Sequence, residues 1–94
     1  MTEALNEIAE KVVDEASFLL FLAALADDWN DEQVKEAVNP SPHYGPGANG
    51  WESDTIARFL EAGAAWAKAM PAPRADENVW KRVAFILLAG KCYE

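Results

Sequence analysis

A chain of 94 residues with 51% hydrophobic content is long enough for one domain with one core, which excludes intrinsic disorder despite a formal net charge of −8. The single cysteine, Cys92, excludes an internal disulfide and a thiolate zinc cage. The longest strictly apolar run, Phe18 to Ala26, has nine residues, well short of the roughly twenty that cross a bilayer.

The opening Met1-Thr2-Glu3 lacks the basic-then-apolar pattern of a signal peptide, so a reducing, cytoplasmic location is expected. Charge is unevenly spread. Residues 1–38 hold ten acids against Lys11 and Lys35, which accounts for the whole net charge, and residues 39–94 balance to zero. An acidic half repels phosphate backbones and suits a basic protein partner. No nucleic-acid or membrane partner is expected; a homo-oligomer stays open.

In chain order, the first ten residues read as a short amphipathic helix. Leu5, Ile8, Ala9 and Val12 fall at i, i+3, i+4 and i+7, and Glu7 with Lys11 forms a favourable pair. Short and terminal, it is the element most prone to fray. Asp14 caps a stronger helix, about 14–29, whose stripe is Phe18, Phe21, Leu22, Leu25 and Trp29. Leu19, Leu20, Ala23 and Ala24 lie off that stripe and are apolar too, which predicts a helix at the centre of the core. A break near Asn30 and a weaker helix over about 31–38 follow, ended by Pro40.

Residues 39–52, dense in Pro, Gly and Asn, form one ordered loop. The next helix, about 54–70, starts at Ser53 or Asp54 and should bury Ile56, Phe59, Leu60, Gly63, Ala67 and Met70. Its small residues Ala62 to Ala65 allow close helix approach, and Pro71 ends it. The last helix, about 78–90, presents Trp80, Val83, Ala84 and Leu87 on one face, with Gly90 as C-cap. The predicted fold is therefore all-α: a compact small helical domain with three main helices, two short ones, and the loop held over one end by Trp51.

Gly45-Pro46-Gly47-Ala48-Asn49-Gly50 spells the dinucleotide-binding glycine pattern. That pattern needs a preceding strand and a helix whose free amides face pyrophosphate. Here a Pro-rich coil precedes it, Pro46 lacks an amide, and Glu52 and Asp54 place negative charge where phosphate would sit. The glycines read as turn chemistry. A calcium loop begun at Asp28 fails too, with Gln33 where glycine and Asn39 where glutamate belong. His43, the only histidine, has no spacing-identified partner for acid–base work, and Cys92 lacks a second marker of an activated thiol. No catalytic residue, metal ligand or cofactor is assigned.

The pairs Asp27/Asp31, Asp28/Glu32 and Glu32/Glu36 repel at i, i+4 if the helix is continuous. A break relieves the first two; a tolerated repulsive patch points to a cationic partner. Asp27, Asp28, Asp31, Glu32 and Glu36 are thus the candidate partner-binding residues, with Tyr44 and Trp51 as aromatic anchors. For Trp51 the competing reading is a core plug anchoring the loop.

The run from Asn39-Pro40 through Tyr44-Gly45-Pro46-Gly47-Ala48-Asn49-Gly50-Trp51-Glu52 leads into Thr55-Ile56, Phe59-Leu60-Glu61-Ala62 and Ala65-Trp66. With Trp80-Lys81 and the ending Ala89-Gly90-Lys91-Cys92-Tyr93-Glu94, it resembles a family of small, acidic bacterial proteins known only as a domain of unknown function. The likeness covers about Val12 to Glu94 and implies no catalytic residue. In size, charge and helix content the chain is also similar to small acidic immunity proteins that neutralise bacterial toxins. The expected function is a non-catalytic protein-interaction module, immunity-like in type, that uses its acidic half. The alternatives are a small-molecule binder or minor enzyme with a pocket under the 39–52 loop (His43, Tyr44, Trp51, Glu52), and a homodimerising structural protein.

Overall fold

The computed structural model describes residues 2–42, 46–70 and 78–92, and for residues 2–4 and 92 the backbone alone. His43 and Tyr44 lie outside the described residues. Four α-helices follow in order, α1 (Thr2–Glu10), α2 (Glu15–Val38), α3 (Ile56–Ala69) and α4 (Val79–Cys92), and the described residues contain no strand. The protein is an all-α domain.

α2 is one helix of 24 residues, where the sequence predicts two separated near Asn30. Its start is fixed by a capping box: Asp14 Oδ1 accepts from the Ser17 amide (2.9 Å) and Ser17 Oγ accepts from the Asp14 amide (3.1 Å). Pro40 lies just past its C-terminal residue. It does not break because its carboxylates find partners inside the molecule, as described below.

The central helix is α4, not α2. α4 packs against α1, α2 and α3, whereas α2 and α3 do not reach each other. α2 consequently buries one narrow stripe, Phe21, Leu25, Asp28 and Glu32, and leaves Leu19 and Leu20 exposed. α1 is docked: Leu5, Ala9 and Val12 are buried in the same core cluster as Phe21, Leu25, Trp51 and Ala84. Asn78 Nδ2 donates to the Val12 carbonyl (3.1 Å) and Asn78 Oδ1 accepts from the Lys81 amide (2.8 Å), so one side chain joins the end of α1 to the start of α4.

α3 is capped by Thr55, whose Oγ1 accepts from the Arg58 amide (3.1 Å), and not by Ser53 or Asp54. Ser53 is buried and donates to the Gly90 carbonyl (2.7 Å), while Asp54 faces Arg58 (3.5 Å). With α4 as its only helical neighbour, α3 covers just one side. Ile56, Leu60 and Met70, expected in the core, are exposed, and Gly63 is the only fully buried residue of the helix.

Two glycines set how closely α3 and α4 approach. A Cβ on Gly63 would meet the Ile86 carbonyl oxygen at 2.9 Å, and one on Gly90 would meet that of Phe59 at 2.8 Å. Gly90 is therefore an interior packing residue, not the C-cap of a helix ending at 90. Alanine normally favours a helix over glycine by about 1 kcal/mol, but overpacking a contact between backbones costs about 1–3 kcal/mol. Gly90→Ala and Gly63→Ala are expected to lower the urea midpoint; an unchanged or raised midpoint would refute this account of the α3–α4 contact.

Candidate functional site

The buried stripe of α2 continues past its apolar part into acid. Phe21, Leu25, Asp28 and Glu32 are spaced four, three and four apart, and Glu36 extends the column by one more turn. These carboxylates face the strap formed by residues 46–53.

Glu32, 4% exposed, accepts through one oxygen from the amides of Asn49 (2.8 Å) and Trp51 (3.2 Å). Glu36 accepts from the Ser41 hydroxyl and amide (2.5 and 2.8 Å) and from the Ala48 amide (2.7 Å). Within the strap, the Gly47 amide donates to the Trp51 carbonyl and the Gly50 amide to that of Gly47, each at 2.9 Å. All five amides from Gly47 to Trp51 are therefore engaged, and the glycine pattern has none to offer a phosphate. Gly47 is required because a Cβ there would overlap the Glu32 carboxylate, and Gly50 because its φ is +89°.

Asp28 anchors the lower end. Its Oδ2 accepts from Lys91 Nζ (2.8 Å) and from Trp51 Nε1 (2.9 Å), and the Asp28 and Lys91 side chains are 7% and 3% exposed. A buried pair holds only if both charges are well hydrogen-bonded, since each loses its hydration. Lys91 also lies 5.7 Å from the Trp51 ring centroid, and its carbonyl accepts from the Glu52 and Ser53 amides (2.9 and 3.4 Å). Asn49 Nδ2 reaches the Asp28 carbonyl and Asp31 Oδ2, both at 3.0 Å, while Asn49 Oδ1 accepts from Lys35 Nζ (2.8 Å). Lys35 pairs in turn with Asp31 (2.9 Å). Among the described residues no buried side-chain nitrogen or oxygen lacks a partner, and no acid, His or Cys cluster has the form of a metal site.

The predicted acidic residues thus separate. Asp28 and Glu32 are buried and turned inward, Asp31 and Glu36 bind the strap from its edge, and Asp27 is exposed. Tyr44 lies outside the described residues. Trp51 is a buried plug, 8% exposed, in edge contact with Trp29 (centroids 5.1 Å, planes 82° apart) and stacked on Phe59 (6.1 Å, 25°). Trp29 belongs to α2 and Phe59 to α3, so Trp51 is a wedge between the two helices.

Above the wedge lies an open groove of about 460 Å³, walled by Leu22, Ala26 and Trp29 on one side and Ile56 and Phe59 on the other. Of the polar groups at its rim, Ser53 bonds Gly90, Asp54 faces Arg58 and Thr55 caps α3, while Asn30 is exposed. Sequence reasoning missed Lys91, Asn49 and the groove. Only the Asp28/Glu32/Glu36 column carried a signal, because it lies on the extension of the buried stripe.

Fold and site together define a small helical domain in which a carboxylate column clasps a Gly/Pro-rich strap under an apolar groove. Residues 14–94 match the model of a family of unknown function, DUF7660, and the chain belongs to that family. No curated protein and no solved structure matches it.

Removing one partner of a buried pair costs about 3–5 kcal/mol, a large part of the roughly 5–15 kcal/mol that stabilises a domain. Lys91→Met alone should therefore bring the protein close to unfolding. Asp28→Asn combined with Lys91→Met should recover part of the loss, since Asn keeps an acceptor for Trp51 Nε1 and leaves no unpaired charge. A double-mutant cycle in urea measures this; strictly additive losses would show that the two groups are not coupled.

The pH dependence has a definite sign. The bonds from Ser41, its side chain first, hold the Glu36 carboxyl below its ordinary 4.5, and those from Asn49 and then Lys35 hold Asp31 below its ordinary 3.8. Their stabilisation is complete above those ordinary values and is lost as pH falls through the lower folded-state values. The melting temperature is expected to drop on acidification below 4.5, and Glu36→Gln to flatten that slope. An identical slope in the variant would remove Glu36 from the cause.

Proposed function

We propose that this protein is a non-catalytic protein-interaction module and that its recognition site is the groove between α2 and α3. One observation carries the reading: an apolar groove floored by Trp51, Trp29 and Phe59 stays open in a small, strongly charged chain. Contiguous exposed apolar surface in a small domain marks a place where something docks. Ile56, 79% exposed, adds to its mouth.

This reading moves the recognition surface away from the acidic column. Buried and hydrogen-bonded carboxylates do not meet a partner directly, so the acidity of residues 1–38 acts at longer range, speeding encounter with a basic protein. An immunity-like role, a bacterial source and a cytoplasmic location belong to the same proposal. Among the described residues no helix is long and apolar enough to cross a membrane.

The groove volume favours a second reading as a small-molecule site, since ligand pockets span about 300–1,000 Å³. Such sites orient the ligand with converging polar groups. Here three rim side chains, Ser53, Asp54 and Thr55, already serve the fold and only Asn30 is left to orient a ligand, which favours a protein occupant.

Ile56→Glu and Val38→Glu distinguish the groove from exposed apolar surface in general, since both positions are exposed but only Ile56 lines the groove. When each variant is immobilised and offered lysate of its own cell, Ile56→Glu should lose a partner that Val38→Glu retains. Loss from both, or from neither, would exclude the groove as the recognition site.

A further inference from the structure

We infer that the groove receives a short amphipathic helix whose polar face is basic, an inference that rests on the interaction-module reading above.

An extended or polyproline segment presents backbone carbonyls and amides that it does not bond itself. Its host must supply partners, either from a sheet edge or from side-chain donors. The α2 wall is the middle of a helix, whose backbone is bonded internally, the α3 wall is a single first turn from Ile56 to Phe59, and no strand occurs among the described residues. Trp51 Nε1 is bonded to Asp28 at 2.9 Å, and the two donors on the α2 wall, the Trp29 indole and the Asn30 amide, are too few to pair the backbone of an extended segment. Ser53, Asp54 and Thr55 are engaged with Gly90, Arg58 and the Arg58 amide. A helix brings a backbone already satisfied and asks only for apolar contact. From Leu22 to Asn30 the α2 wall runs for about 12 Å at 1.5 Å per residue, which matches two turns carrying apolar side chains at i, i+3 or i+4, and i+7. Ala26, midway along that wall, leaves room for close approach.

Charge selects the kind of helix. α2 and the segment before it belong to the half of the chain that holds the whole net charge of −8. Asp27 is exposed on α2 and Glu52 on the strap beside Trp51, while Asp54 at the groove mouth is offset by Arg58. A second copy of this chain would bring another −8 and be repelled. A helix with Lys or Arg on its outer face is attracted by the same field and seats its apolar face on Leu22, Ile56 and Phe59.

The test uses the full chain and three synthetic peptides. The first has Leu at i, i+3, i+4 and i+7 with Lys elsewhere. The second replaces every Lys with Glu. The third holds the Leu and Lys of the first in strict alternation, the period of a strand. Binding is followed by amide chemical shifts. The Lys helix is expected to shift Leu22, Ala26, Ile56 and Phe59, to weaken at high salt, and to lose about tenfold or more in affinity on Ile56→Glu. Equal binding of the Glu peptide would overturn the basic face, and equal binding of the alternating peptide would overturn the helix; in both cases the groove stands as the recognition site. Shifts confined to the outer face around Asp27 and insensitive to Ile56→Glu would overturn the inference and the groove reading together. Sedimentation of a dimer that Ile56→Glu dissociates would identify a second copy as the occupant and overturn the basic helix.

Discussion

A buried carboxylate must find donors within the protein, and Asp28, with 8% of its surface exposed, finds two through a single oxygen: Lys91 of α4 and the indole of Trp51. That junction ties α2, α4 and the strap at one point. From there Glu32 and Glu36 hold successive amides of the strap, so the chain between residues 46 and 51 is laid along α2 one bond at a time. The position of Trp51 follows, and with it the separation of α2 from α3. The groove is the space that this wedge keeps open.

Much of the fold could be read in the sequence because apolar periodicity and caps are local. The Asp14 cap, the stop before Pro40, the apolar face of α1 and the small residues of α3 all follow from neighbours close in sequence. The errors share a cause. A break near Asn30 would relieve repulsion between carboxylates of one helix, but what makes it unnecessary is distant in sequence, with Lys91 sixty-three positions from Asp28. The expected burial of Ile56 and Leu60 assumed helices on more than one side of α3, whereas of the four described helices only α4 packs on it. Asp27, Asp28, Asp31, Glu32 and Glu36 form one set in a charge count but different groups in space. The distinguishing clue was angular: Asp28 and Glu32 continue the Phe21–Leu25 stripe, and Asp27 does not.

The arrangement also bears on how charge works here. Asp28 is paired with Lys91 and Asp31 with Lys35, so the field outside owes most to exposed acids such as Asp27 and Glu52. Selection of a partner by sign and recognition by shape are then carried by different atoms. The column supplies the scaffold, the exposed acids the field, and the groove the contact.

Why acid, and not more apolar packing, holds the strap follows from its composition. Pro46-Gly47-Ala48-Asn49-Gly50 offers no large side chain to a core, so hydrophobic contact cannot grip it. Its only regular handles are backbone amides, and carboxylates accept them strongly. Apolar residues at positions 32 and 36 would leave three strap amides, those of Ala48, Asn49 and Trp51, to water or to no partner, and would not specify which amide lies beside which helical turn. The column fixes that register, and the register places Trp51, the one large ring the strap carries, between Trp29 and Phe59. A loop that cannot make a core of its own is thereby made into the floor of a binding surface.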